Sequence, residues 1–426
     1  MLKYAPVVLT ETCAQVLGNP FVDPPAWRRA AQRVLTLESP RAGERDFLIA
    51  RLLARTVIEG DSLRELTSAR ALSERTLERA GCTRGDLVRL LGAVRRCLAE
   101  LAVLVGSSSS LQRVRAAAWG TCFGASLGRT LDFERVIREH DVLLTGETGT
   151  GKEAVARAIG EGTLGHGEGG RGPFSALNIA AIPETLIESE LFGHVRGAFT
   201  GASRARPGHI RSTSGGCLFL DEVGDLPPTA QSKLLRVMET DTVTPVGSEA
   251  SHAADVRYVA ATHRDLAEMV RAGSFREDLY QRLAGDVIRL PALRERPEDV
   301  REIAVRFASR YLAQGAPEWK RVKSWLSSSE VSNHRWPGNV RQLQNCLRNV
   351  LLGVDVDFAA DGDDEVRDQR SELPEFVRNA NAPLARVEAW YLLRVFEREG
   401  RNYARAARVL GLDRATVRRK LRSLGA

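Results

Sequence analysis

The chain has 426 residues, and its most informative chemistry begins at Gly146. From there it reads Gly146, Glu147, Thr148, Gly149, Thr150, Gly151, Lys152, Glu153. Spaced glycines let backbone N–H groups close around phosphate oxygens, and a following helix N-terminus adds favourable partial charge. Lys152 would reach the β- and γ-phosphates of a nucleotide. Glu153 stands where Ser or Thr would ligate magnesium, so the segment alone is also compatible with a glycine-rich turn that binds nothing. A second element reduces that ambiguity. The apolar run Gly215–Leu220 ends in Asp221 and Glu222. An acid at such a strand end can hold Mg2+ through water, and its neighbour can polarise an attacking water, because phosphoryl transfer needs positioning and charge stabilisation above all. The roles expected are therefore Asp221 for the metal and Glu222 for the water. A third run, Val256–Ala261, ends in Thr262 and His263, where a polar group could sense a γ-phosphate. Arg276 and Arg282 follow six residues apart. Arginine suits transition-state charge, often across a subunit boundary, although either one alone is equally an ordinary surface ion pair.

These groups need elements to carry them. Asp141–Thr145 reads as a buried strand running into the glycine turn, and Glu153–Ile159 as the helix behind it, which is the context a phosphate loop requires. Alternating apolar runs and helical patterns between about residues 107 and 355 predict an α/β domain with a small helical lid. Residues 1 to about 106 look helical and carry no catalytic motif. Within them Leu87, Leu91, Val94, Leu98, Leu101 and Val105 recur in steps of four and three. That pattern fits an amphipathic helix packed on its own domain, or a dimerising helix with a short coiled-coil seam. Ser107–Ser110 breaks it and marks a boundary. The domains expected are thus a helical N-terminal region (1–106), the α/β part (107–290), the lid (291–354), an acidic linker (355–383) and a basic all-α module (384–426). The linker contains Asp355, Asp357, Asp361, Asp363, Asp364 and Glu365 and has no apolar periodicity.

The charge is lopsided. The net charge is +7, and residues 384–426 hold eleven Lys and Arg against four Asp and Glu, a difference of +7 that accounts for all of it. A basic terminal module suggests nucleic acid. It reads as three helices: Arg386–Arg398 with Val387, Trp390, Tyr391, Leu393 and Phe396 as apolar contacts, then Asn402–Leu410, then Arg414–Leu421 capped by Asp413. Two short helices across the Gly411 turn make a helix-turn-helix whose second helix enters the major groove. Arg414, Thr416, Arg418 and Arg419 are the expected DNA contacts. The six cysteines have neither CxxC nor metal-ligand spacing and read as reduced, buried hydrophobes. With no membrane-length apolar stretch and no signal sequence, a cytoplasmic location is expected.

One run is more specific than all of these: Gly197, Ala198, Phe199, Thr200, Gly201, Ala202, preceded by Glu190-Leu-Phe-Gly-His. Together with the phosphate loop, strand 215–222, the segment 227–239 and Trp336-Pro-Gly-Asn-Val-Arg341, it resembles the AAA+ domain of bacterial enhancer-binding proteins, the sigma-54-dependent activators. The resemblance covers about residues 140 to 350, and the basic module resembles the Fis-type one at the end of this family. It makes Glu153 the usual residue at its position. It implies that residues 197–202 form the loop touching sigma-54, with Phe199 and Thr200 at the contact. It implies that Asn178 is a switch coupling Glu222 to that loop, that Arg276 and Arg282 are trans-acting arginine fingers, and that Arg341 contacts nucleotide from the lid. It implies ATP and Mg2+ as cofactors, and sigma-54 RNA polymerase and upstream DNA as partners. The active form implied is a hexameric ring, with a dimer when inactive. The chain departs from the pattern at Val195, where glutamate is common, and at Ile179, where cysteine is usual. A different AAA+ machine would lack residues 197–202. A DNA-binding repressor with a vestigial ATPase would not need Lys152, Asp221, Glu222 and Arg341 intact.

Overall fold

The structure is a computed structural model that describes residues 5–37, 44–62, 65, 68, 72–165, 167, 170–356, 358, 384–398 and 402–423. It divides into two units, 1–356 and 357–426. The acidic linker expected over 355–383 falls almost wholly outside the described residues, as does the side chain of Val387.

The first unit is built on a five-stranded parallel sheet: β1 (Val142–Thr145), β2 (Phe174–Asn178), β3 (Gly216–Asp221), β4 (Val256–Thr262) and β5 (Asp286–Arg289), in the order β2-β3-β4-β1-β5. Parallel pairing requires crossovers, and helices therefore cover both faces. Successive side chains alternate between faces, so β1 splits its apolar run between two cores. Val142 and Leu144 join one with Cys217, Phe219, Val259 and Ala261, while Leu143 joins the other with Leu218, Leu220 and Ala260. The second core is closed by the helices Glu184–Phe192, Pro228–Thr240 and Glu277–Leu283.

The first core contains the N-terminal region. Helix α1 (Arg84–Leu101) starts with a capping box between Thr83 and Asp86 and lies along helix α2 (Lys152–Gly162), the helix behind the phosphate loop. Its buried stripe is Leu87, Leu90, Leu91, Val94, Cys97 and Leu101, wider than the four-three seam read from sequence. That stripe packs on Val155, Ala158 and Ile159 of α2 and on the helix Glu44–Ala54 of its own block, in one shared core. Contact is close enough that a Cβ at Gly162 would lie 2.8 Å from Cys122 Sγ and 3.1 Å from Cys97 Cβ. Arg96 adds an ion pair with the buried Glu161 at 3.3 Å. The helices Ala5–Leu17, Pro24–Thr36 and Glu44–Ala54 extend this core outward.

Ser107–Ser110 is likewise more than a break. Asp299, fully buried on the helix Asp299–Ala308, accepts from Ser107 N, Ser108 N and Ser108 Oγ at 2.9, 2.9 and 2.7 Å. Ser108 then caps the helix Ser109–Phe123. The lid comprises Asp299–Ala308, Glu318–Leu326, Ser329–Asn333 and Asn339–Leu352.

The second unit holds helices Leu384–Arg398, Tyr403–Leu410 and Arg414–Ser423 around Val395, Phe396, Ala406, Ala407, Val417 and Leu421. On the first of these, Leu392 and Val395 are buried whereas Tyr391, expected inside, is 51% exposed. Asn402 and Asp413 cap the other two, accepting from Arg405 N at 3.2 Å and Thr416 N at 2.9 Å. Gly411 makes the turn at φ +63°. Among the described residues no helix is long and apolar enough to cross a membrane.

Candidate functional site

In a parallel sheet all carboxyl ends share one edge, and ligands bind outside that edge. Register places Asn178 opposite Asp221 and Thr145 opposite Thr262, so four of the expected residues or their neighbours line up there. The phosphate loop springs from Thr145. Gly149 has φ +80°, and a side chain there would collide with the Gly338 carbonyl. Only glycine meets both demands. Gly151, also left-handed, leads into α2. Lys152 is buried and donates to the Gly146 and Glu147 carbonyls at 2.7 and 3.3 Å. Burial pulls its pKa below the usual lysine value, against the pull of Glu222 and Asp221. Thr150 Oγ1 donates to Glu147 O at 2.8 Å, and Glu153 turns outward to Arg157.

A cleft of about 370 Å3 runs over this loop, lined by Thr148–Ala154, Asp221, Glu222, Arg341 and the 103–105 segment. Asp221 and Glu222 both face it. Burial, and then the Glu222 charge, raise the Asp221 pKa. Two carboxylates beside a buried lysine form a site that a cation between phosphates would relieve. Glu222 has φ +55°, a strained conformation for a non-glycine residue, of the kind that clusters at functional sites. Its carboxylate accepts from His263 Nδ1 at 2.7 Å and His263 N at 3.3 Å. Asn178, expected to couple Glu222 to the 197–202 loop, donates to Asp221 Oδ2 at 3.0 Å, because register sets it opposite the aspartate. Thr262 is fully buried and accepts from Arg264 N at 3.0 Å.

Sequence reasoning did not single out the tie between lid and loop. Asn339 is fully buried at φ +51°. Its Oδ1 accepts from Leu293 N at 2.7 Å, and its Nδ2 donates to Thr148 O at 3.0 Å and Glu147 Oε2 at 3.1 Å. Val340 N donates to Gly149 O at 3.0 Å, and Arg294 pairs with Glu147. Arg296, also buried, donates to Thr150 O at 3.2 Å. The signal available was Asn339 two residues before Arg341, inside a motif already noted.

The two candidate fingers differ. Arg276 forms a paired ion bridge with Asp278 at the surface, at 3.0 and 2.7 Å. Arg282 faces a separate cleft of about 1010 Å3, 3.3 Å from the buried Asp141. The run 197–202 is a tight loop, closed by Gly197 N donating to Ala202 O at 2.8 Å and Ala202 N to Phe199 O at 3.0 Å. Gly197 and Gly201 have φ +82° and +106° with open space around them. Phe199 is 37% exposed and rests edge-on against His194, ring centres 5.1 Å apart. In the second unit Arg414, Arg418 and Arg419 are exposed on one short helix, with Thr416 half-buried.

A 2-3-4-1-5 parallel sheet, a phosphate loop on β1, paired acids ending β3 and a helical lid tied to the loop define a P-loop domain of the AAA+ class. Residues 131–289 match the Sigma-54 interaction domain, 294–358 the AAA+ ATPase lid domain, and 383–424 the Fis family of bacterial regulatory proteins. The DNA-binding transcriptional regulator NtrC of Rhizobium meliloti is 35% identical over 388 residues, 80% of this chain and 76% of that one. The chain belongs to the NtrC-like family of sigma-54-dependent transcriptional activators. NtrC of Azospirillum brasilense is 42% identical over 66% of this chain and 64% of its own length. The transcriptional regulatory protein ZraR of Escherichia coli (strain K12) is 40% identical over 66% and 63%. This chain therefore spans just under two thirds of those two relatives.

Proposed function

We propose that this protein activates transcription by hydrolysing ATP to remodel RNA polymerase bound by sigma-54, from DNA sites upstream of the promoter. The observation carrying this reading is an exposed loop, residues 197–202, with left-handed glycines at 197 and 201, on the same domain as the phosphate loop and the acids Asp221 and Glu222. The phosphate-loop amides and Lys152 would hold the β- and γ-phosphates, and Arg341 would reach the nucleotide from the lid. Mg2+, held by Asp221 through water, would neutralise charge on the phosphates. Glu222 would orient and polarise the attacking water. It is engaged with His263 at 2.7 Å, so this contact must loosen first. Asn178 sits on β2 directly before the segment leading to Glu184–Phe192 and the loop. Its bond to Asp221 supports a route by which a change at the phosphates reaches Phe199. Arg276 and Arg282 would complete a neighbour's site, which calls for a ring, taken as a hexamer, assembled from inactive dimers. Arg414, Thr416, Arg418 and Arg419 would contact the DNA. Acting on DNA and RNA polymerase, it would work in the cytoplasm.

The test is promoter opening with purified sigma-54 polymerase, ATP and Mg2+, comparing wild type with Thr200→Ala. Wild type opens the promoter, and the variant hydrolyses ATP without opening it. Hydrolysis by wild type with no opening of any sigma-54 promoter would refute the reading.

A further inference from the structure

Arg282 is half-buried, and a buried carboxylate lies behind it. Asp141 is 2% exposed, the last residue before β1. Its Oδ1 accepts from Tyr258 N at 2.9 Å. Its Oδ2 has no hydrogen-bond partner and lies 3.3 Å from Arg282 Nη1. The guanidinium also donates to two carbonyls, Glu139 O at 3.2 Å and Met238 O at 3.4 Å. Two carbonyls and one carboxylate, from the segment 139–141 and the helix Pro228–Thr240, therefore fix a side chain whose other face opens on the 1010 Å3 cleft. A buried carboxylate without a full set of donors is costly unless a cation compensates it. Burial already raises the Asp141 pKa to about 6 despite Arg282.

We propose that Asp141 is a positioning residue for Arg282, holding the guanidinium at the cleft mouth so that it is presented to the nucleotide of the adjacent subunit. A long side chain free in solvent loses rotamer entropy when it engages a phosphate, and a small misplacement at a reacting centre is expensive. Anchoring in the donor subunit removes both costs. Arg276, held only by the surface residues Asp278 and Ser232, has no such support. The inference rests on the trans-acting reading of Arg282 given above.

The test uses full-length protein and steady-state ATPase kinetics. Asp141→Asn keeps the size of the side chain and the Tyr258 contact. It is expected to lower kcat roughly a hundred-fold, the scale of a one-ångström misplacement, with ATP-analogue affinity unchanged because the variant's own phosphate loop is intact. Mixing it with Lys152→Ala subunits, which lack a working phosphate loop but carry Asp141 and Arg282, restores activity above the sum of the two alone. Arg282→Ala mixed in the same way is restored likewise. Wild-type kcat in Asp141→Asn overturns the proposal. So does loss that mixing does not restore while Arg282→Ala is restored, since the defect then lies in the variant's own fold. Wild-type kcat in Arg282→Ala, or failure of the mixture to restore it, removes the finger reading itself and the proposal with it.

Discussion

Replacing Asn339 with alanine separates the lid from the phosphate loop without touching nucleotide. The native residue meets three demands at once: an acceptor for Leu293 N, donors for Thr148 O and Glu147, and a left-handed backbone at φ +51°. Alanine meets none. Leaving the buried Leu293 amide unpartnered costs about 1–3 kcal/mol. The left-handed conformation adds about 1 kcal/mol, since asparagine tolerates it better than alanine. The lost donors add about 1 kcal/mol more. The sum is roughly 3–5 kcal/mol, by those same scales, set against the docking of lid on loop. The expected result is a lower thermal midpoint and a KM for ATP raised at least tenfold, the factor that 1.4 kcal/mol represents. Asn339→Asp discriminates further. It keeps the acceptor for Leu293 but sets a carboxylate beside Glu147, so it should bind ATP poorly while melting closer to wild type. The assay is ATP-analogue titration beside calorimetry. Wild-type midpoint and KM in Asn339→Ala would refute the reasoning, because the lid would then be held by Arg294, Arg296 and Val340 alone.

Gly149→Ala places a side chain against the Gly338 carbonyl at φ +80°, and should abolish ATP binding in titration while the second unit still binds DNA. Leu91→Ala, at a fully buried position on α1, should cost about 2–5 kcal/mol in denaturant unfolding, and the loss should appear as weaker ATPase as well because α1 braces α2. The pH dependence is set by Asp141. Its folded pKa of about 6 lies above the ordinary value of 3.8, so the native state holds the proton more tightly than the unfolded chain. That contribution to stability is complete below 3.8 and lost as pH rises through about 6. Asp141→Asn should therefore flatten the change in urea midpoint across that window, and an unchanged slope would count against the assignment.

The parts legible in the sequence are those in which neighbours along the chain do the chemistry. Gly146–Lys152 needs its glycines for backbone shape, and β1, β3 and β4 are apolar runs that end in the groups they position. The 197–202 loop is as local. What the sequence hid depends on where distant elements meet. Asn339 and Thr148 are far apart in the chain, as are Asp299 and Ser108, and neither pair has a periodic signature. The four-three pattern of α1 announced an apolar stripe but carried no information about what would cover it. The bond of Asn178 to Asp221 is set by strand register, which no local pattern shows. On the last helices, counting apolar residues did not distinguish buried Leu392 from exposed Tyr391, since adjacent positions differ only by the rotation of the helix.

The packing of α1 on α2 bears on how this protein can be taken apart and recombined. Cys97, Cys122 and Gly162 meet at van der Waals distance across the junction, so each tolerates change only if the others change with it. An N-terminal segment transplanted from a relative would meet the wrong surface on the phosphate-loop helix. Chimeras cut near residue 106 would divide a single core and bare its apolar half on both pieces. A cut between Val356 and Asp357 falls between the two units, and exchanging the tail there should redirect the protein to new DNA sites.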